Sequence, residues 1–234
     1  MSSERVDRIF GMQAAVLPER GVVKVSGEDG RRFLNGLATN DIGAVAPGAS
    51  RYAALLTPQG KIIVDFIAVD AAADGGGVFL DCPRALAETL VGKLAFYKLR
   101  AIVAIEDLSE TRAVMALWDG AGESKAGVSY PDPRLPALGW RVMLPPQSVN
   151  QAAANLGARL ADAEIYDAHR IALGVPQGGV DFVYGDTFPH EADLDQLGGV
   201  DFRKGCYVGQ EVVSRVEHRN SARRRVVPVA FDGP

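Results

Sequence analysis

Residues 51–69 read RYAALLTPQGKIIVDFIAV, two apolar arms on either side of Thr57-Pro-Gln-Gly60. Pro58 and Gly60 occupy the second and fourth places of a four-residue turn, the positions that a type I turn favours. The arms therefore pair as a hairpin, with Lys61–Val69 the longer strand. Working outward, Gly21–Gly27 (GVVKVSG) is a short valine-rich run between glycines, which predicts a strand. Phe33, Leu34 and Leu37 follow at helical spacing and predict a short helix over 28–38. Beyond the hairpin, VFL after Gly75-Gly76-Gly77 predicts a third strand of the group. Pro83 suits the first turn of a helix, and Leu86, Leu90, Leu94 and Tyr97 carry that helix for about four turns. Ala101–Ile105 returns as a strand. Strand, helix, two or three strands, helix, strand is the split βαβ order, so the chain is expected to be α+β.

The second half is less periodic. RAVMALW (112–118) and GWRVML (139–144) predict strands, the alanines at 152–154 belong to a helix, and Ala161–Leu173 is a helix stopped by Gly174 and Pro176. Residues 176–203 follow no strong period, and a long irregular stretch of this kind is more often functional than ornamental. Val226–Phe231 reads as the opening strand of a further unit.

Composition narrows the function classes. The 234 residues carry 25 Lys+Arg against 29 Asp+Glu, a net charge of −4, which gives no global attraction to nucleic acid or to an anionic membrane. No apolar run approaches the roughly 18–20 residues needed to span a bilayer. The opening MSSERVDRIFG reads as neither a secretory signal nor a transit peptide. Two cysteines, Cys82 and Cys206, make no disulfide framework and lack the paired spacing of a structural zinc site, so no resident metal is expected and a reducing, cytoplasmic setting is.

Chemistry concentrates in residues 201–219, DFRKGCYVGQEVVSRVEHR. Cys206 stands two residues after Lys204, and neighbouring cations favour the thiolate that acts as nucleophile or metal ligand. Gly205 and Gly209 allow close backbone approach. Gln210 and Glu211 can open a helix, with Glu211 suited to its positive end. From Arg203 to Arg225 seven Lys/Arg face two acids, a local anion-binding face. The competing reading is that Cys206 is a small buried hydrophobe and the basic run a solvated surface. His169 suits a structural role, while His190 and His218 are candidate bases for the thiol. Asp65, alone in an apolar arm, must face water or be paired; the exposed side is expected.

Lys204-Gly-Cys-Tyr-Val-Gly-Gln-Glu211 resembles the KGCYxGQE signature of the YgfZ-type folate-binding proteins, relatives of the glycine-cleavage T-protein that include assembly factors for iron–sulfur proteins. GRRFLNGLATNDI, LLTPQGKIIVDF, RIALGVPQGGVDF and PHEADLD agree with it, so the resemblance covers about residues 10–231. It implies a body of two interleaved subdomains around a central cavity over 1–222. The start of a largely absent C-terminal β-barrel follows over 223–234. It also implies tetrahydrofolate in the cavity, with Asp65, Arg170, Tyr207, Gln210 and Glu211 as binding residues. Cys206 becomes the key thiol, assisted by Lys204. The implied role is in assembling or repairing iron–sulfur enzymes, among them enzymes that modify transfer RNA, with client or assembly proteins as partners. A cluster takes about four ligands, so a lone cysteine can hold one only transiently, shared with another chain's thiols.

Two departures bear on the alternative, a tetrahydrofolate-dependent aminomethyltransferase. The T-protein's adjacent aspartates are Val64-Asp65 here, and its acid in the stretch matching Arg170-Ile-Ala172 is Ala172. A classical aminomethyltransferase is therefore not expected. A third reading is a binding module that uses the basic 203–225 face for a protein or RNA.

Overall fold

β-branched runs punctuated by glycine turns build the strands of the computed structural model, which describes residues 11–120, 123–219 and 222–230. The chain runs β1 (Gln13–Val16), β2 (Arg20–Ser26), α1 (Gly30–Asn35), β3 (Ser50–Leu56), β4 (Ile62–Asp70), β5 (Val78–Pro83), α2 (Ala87–Lys98) and β6 (Ala104–Asp107). It continues through β7 (Ala113–Trp118), β8 (Val128–Pro131), β9 (Trp140–Leu144), α3 (Val149–Leu156), β10 (Arg159–Leu160), α4 (Ala163–Ala172) and α5 (Gln210–Arg219).

Two five-stranded sheets result. The first has the order β3-β4-β5-β2-β6, with every neighbouring pair antiparallel. This is the expected split βαβ sheet, extended at one edge by β3. The hairpin turn closes as read, Gly60 N–H donating to Thr57 O at 2.8 Å with Gly60 at φ +82°. The second sheet has the order β10-β1-β7-β9-β8, in which only β1 and β10 run parallel. Because β1 precedes the whole first sheet yet pairs with β7, the chain begins one sheet, builds the other, and returns.

Burial gives the layers. Val64, Phe66 and Ala68 of β4 join Leu34, Leu90 and Leu94 in a core between the first sheet and α1 and α2. The alternate residues Ile67 and Val69 join Ala116, Trp118, Tyr130 and Met143 in a core between the two sheets. Met115, Leu117 and Val142 pack on Val149, Ala152 and Ala153 of α3 on the far side. Each fully buried Leu, Val or Phe contributes roughly 1.5–3 kcal/mol.

Several local expectations shift. Pro83 ends β5, and a short 3-10 turn (Arg84–Leu86) precedes α2, so the helix starts four residues later than its proline suggests. β1, β8 and β10, of four, four and two residues, are too short for a period to reveal. The strand expected over 226–231 is corrected: Val226–Ala230 form no strand, their one backbone hydrogen bond among the described residues being Val226 N–H to Glu191 O at 3.1 Å, and Phe231 lies outside the described residues. The opening stretch read as lacking a leader falls, up to residue 10, outside them as well.

Asp65 is also corrected. A strand in the middle of a sheet covered on both faces has no exposed side, and Asp65 is 5% exposed, on the face toward the second sheet. Its carboxylate accepts hydrogen bonds from the hydroxyls of Tyr52, at 2.9 Å, and Tyr184.

Candidate functional site

The hairpin tip and the start of α5 meet backbone to backbone. A Cβ at Gly209 (φ +83°) would lie 2.5 Å from Thr57 O and 3.2 Å from Gly60 Cα, while one at Gly60 would lie 2.9 Å from Val212 Cβ. Only glycine fits either place. Gln210 N–H then donates to Tyr207 O at 3.3 Å, and Gln210 Oε1 accepts from Tyr207 N–H at 3.4 Å, closing a tight turn into the helix. Glu211 stands exposed in the first turn of α5, where its charge suits the helix dipole.

A second contact fixes the loop from the other side. The Thr39 hydroxyl donates to Gly199 O at 2.6 Å, Asn40 Nδ2 to Gly198 O at 2.7 Å, and Asp201 N–H to Thr39 O at 3.0 Å. The Lys204 ammonium donates to three backbone carbonyls, those of Asn35, Ala38 and Asn40, at 2.6, 2.7 and 2.9 Å. Burial lowers its pKa to about 8. Its contacts are those of a clamp on the turn after α1, which holds the loop in place. Tyr207 is buried against the core between the sheets, and burial pushes its phenol up to about 12. Cys206 lies between these anchors and is exposed, as is Gly205 before it. The other thiol, Cys82, is buried, and burial raises it to about 12. The exposed thiol is therefore the one available for chemistry.

A hollow of about 500 Å³ abuts this loop, lined by Asn40, Arg51, Gly198, Val200, Asp201, Phe202 and Arg203. His190 is buried, its Nε2 paired with Glu217 at 3.1 Å; among the described residues neither it nor His218 hydrogen bonds to Cys206. His169 reaches Ala137 O at 2.9 Å and stacks on Trp118, the structural role expected. His190, Asp195 and Glu217 bring donor atoms within 4.8 Å of one another, but Asp195 already takes both terminal nitrogens of Arg225. Arg225 thus belongs to a carboxylate cluster, while Arg215, Arg219, Arg223 and Arg224 remain an exposed basic face.

The residues named for folate are held by other parts of the chain. Asp65 is closed off by two tyrosines, and no Cβ could stand at Gly178 without running into the Tyr184 ring. Arg170 is 3% exposed and spends its guanidinium on Asp167, Asp181 and Val175 O, beside a separate hollow bordered by Val226–Val229. Tyr207, Gln210 and Glu211 belong to the α5 turn. As arranged, the polar atoms of Asp65 and Arg170 are engaged by neighbouring groups of the chain, which is a poor fit to a folate held by those two residues.

Sequence reading missed a buried ionic cluster in the layer between the sheets. Asp81 receives Arg20 at 2.6 Å, Arg141 at 2.6 Å and the Tyr130 hydroxyl at 2.9 Å; Asp132 receives Arg134 at 2.7 Å and Arg141 at 3.0 Å. Burial alone would raise both carboxyls, but the arginines hold them below the usual carboxylate range. The signal was present in VFLDC and GWRVML, where Asp81 and Arg141 interrupt apolar strands as Asp65 does.

Residues 19–121 match the family model described as the GCVT N-terminal domain. The mitochondrial iron-sulfur cluster assembly factor IBA57 of Homo sapiens is 34% identical to the chain over 93% of it, and the corresponding homologue of Mycosarcoma maydis is 37% identical over 93%. The chain spans 66% and 57% of those relatives' own length. Among solved structures, the glycine cleavage system aminomethyltransferase T of Bartonella henselae superimposes over 92% of this chain and 66% of that one, with a TM-score of 0.71 at 16% identity. That likeness bears out the expected α+β, T-protein-like fold, with no closed barrel among the described residues. The cytoplasmic expectation is overturned, because these relatives are named as mitochondrial and point to that organelle. Residues 19–121 are thus similar to the GCVT N-terminal domain, and the chain as a whole shares the fold of aminomethyltransferase T.

Proposed function

We propose that this protein assists iron–sulfur cluster assembly by taking a cluster as cargo on the Cys206 thiolate, together with thiols of a second chain. The observation that carries the reading is the exposed Cys206, held outward between the carbonyl-bound Lys204 and the buried Tyr207. The names of its relatives support it. In the exchange, Cys206 loses its proton and binds iron as one donor thiolate leaves and takes a proton up, so the cluster's atoms and oxidation state are unchanged. With about four ligands needed per cluster, one exposed cysteine makes a shared and temporary holder rather than a resident site.

The finer form of the proposal rests on KGCYVGQE and places the chain near the YgfZ-type proteins, with clients that include enzymes modifying transfer RNA. Residues 1–222 act as the body and 223–234 as the segment that follows it. Tetrahydrofolate stays in the proposal as a ligand whose binding is to be measured. No step runs through it, because Asp65 and Arg170 are spent on neighbours. Titration with tetrahydrofolate, followed by Trp118 and Trp140 fluorescence and by calorimetry, decides the point: saturable binding keeps folate, and a flat response removes it. Aminomethyl transfer is not favoured.

The test of the main reading is Cys206→Ser in cells lacking the protein. The expected result is loss of iron–sulfur enzyme recovery at normal protein levels. Full recovery by the serine variant would overturn it.

A further inference from the structure

The end of α2 carries an apolar group that the fold does not use. Phe96, Leu99 and Ile102 are 74%, 90% and 62% exposed. Leu99 adopts φ +45°, a conformation that an L residue rarely takes and that is usually left to glycine. The turn is rigid. Ile102 N–H donates to Asp29 Oδ2 at 2.9 Å, Asp29 N–H donates to Ile102 O at 3.2 Å, and Ala101 N–H donates to Lys98 O at 2.9 Å. A strained, well-tied turn that holds a leucine in water is a feature that folding alone does not explain.

The segment itself is cationic, and the nearby Asp29 carboxylate is taken by Arg32 and Ile102 N–H. Lys93, Lys98 and Arg100 flank the apolar side chains, and no Asp or Glu occurs between Glu88 and Glu106 in a chain whose net charge is −4. Among the described residues these three cations make no ion pair. A hollow of about 360 Å³ lies beside them, and Phe33, Gly36 and Leu37 form its other wall. Gly36 and Leu37 sit between Asn35 and Ala38, whose carbonyls hold Lys204. One turn thus has the α2 tip on one side and the anchor of the Cys206 loop on the other.

We infer that the α2 tip is the docking surface for the chain that supplies the other thiols, a protein that presents an apolar patch rimmed with acidic side chains. This rests on the reading of Cys206 given above and extends it. An apolar centre within a charged rim is the usual anatomy of a protein contact, and acidic groups opposite Lys93, Lys98 and Arg100 would steer the encounter. The partner's thiols must reach Cys206, so its surface has to cover neighbouring ground, and the 35–38 turn makes the tip that ground.

Two independent traps in an extract of the source cells test this. A photoreactive amino acid at position 99 captures whatever covers the tip, and a short bis-maleimide captures a thiol held near Cys206. The expected result is the same cysteine-containing polypeptide from both, identified by mass spectrometry. Leu99→Asp and Arg100→Glu should lower the Cys206 cross-link about tenfold or more, as loss of a central anchor does. Reaction of Cys206 with a small maleimide should be unchanged. If the Cys206 trap succeeds and position 99 captures lipid, RNA, a second copy of this chain or a different protein, the docking inference fails while the thiol reading stands. The same holds if the two variants leave the cross-link at full yield. If Cys206 captures no cysteine-bearing protein, the thiol reading itself fails, and the inference with it.

Discussion

The layer between the sheets and the Cys206 loop handle charge in opposite ways. Between the sheets, Asp81 and Asp132 satisfy Arg20, Arg134 and Arg141, and Asp65 satisfies two tyrosines, so every group named is consumed by another. In the loop, the half-buried Lys204 ammonium is spent on backbone carbonyls, and the thiol two residues later is left facing solvent. A closed network locks two sheets together; an open one leaves a reactive atom unengaged. Polar residues concentrated in a sequence do not say which of the two they will build.

The comparison can be broken at several points. The largest effect is expected from Asp81→Asn, which leaves Arg20 without its buried carboxylate and Arg141 with one of its two, and should cost about 3–5 kcal/mol in urea unfolding. The same carboxylates set an acid limb. Their folded pKa values lie below the unfolded value of about 3.9, so their contribution is fully present above that pH and is lost as pH falls through the folded values. Asp81→Asn should flatten that limb, measured as unfolding free energy between pH 6 and the acid transition; an unchanged slope would mean that the cluster is not the source. Next is Gly209→Ala, where a Cβ would press on Thr57 O at positive φ, with an expected loss of ~2 kcal/mol. A neutral result would mean that the hairpin tip and α5 are not in backbone contact. Tyr184→Phe removes one of the two donors to Asp65 and should cost about 1 kcal/mol. Cys206→Ser should change stability by less than ~0.5 kcal/mol in the unfolding experiment that registers the other three. A large loss would place the sulfur in a packed environment.

Much of the first sheet was legible because its signals are local: TPQG between two apolar arms, glycine-bounded valines, leucines at fourth positions. The KGCYVGQE stretch likewise singled out the exposed cysteine, and its second glycine, Gly209, finds its reason in the contact with Thr57 and Gly60. Illegible were contacts whose partners are far apart in the chain. Tyr184 reaches Asp65 across 119 residues, and Lys204 reaches Asn35 across 169. A strand of two residues such as β10 has no period of its own and exists only because β1 lies beside it. Val226–Ala230 show the reverse failure, since alternating valines make a strand only where a neighbouring strand accepts their hydrogen bonds.

The early position of β1 has a consequence for biosynthesis. The first sheet is complete once Asp107 has left the ribosome, and its strands are joined by nearby connections. Residues 13–16 emerge before any of it, yet their neighbours are residues 115–118 and 159–160. Through the intervening synthesis that segment has no strand to pair with, which makes its docking a late event and a natural point for a chaperone to act.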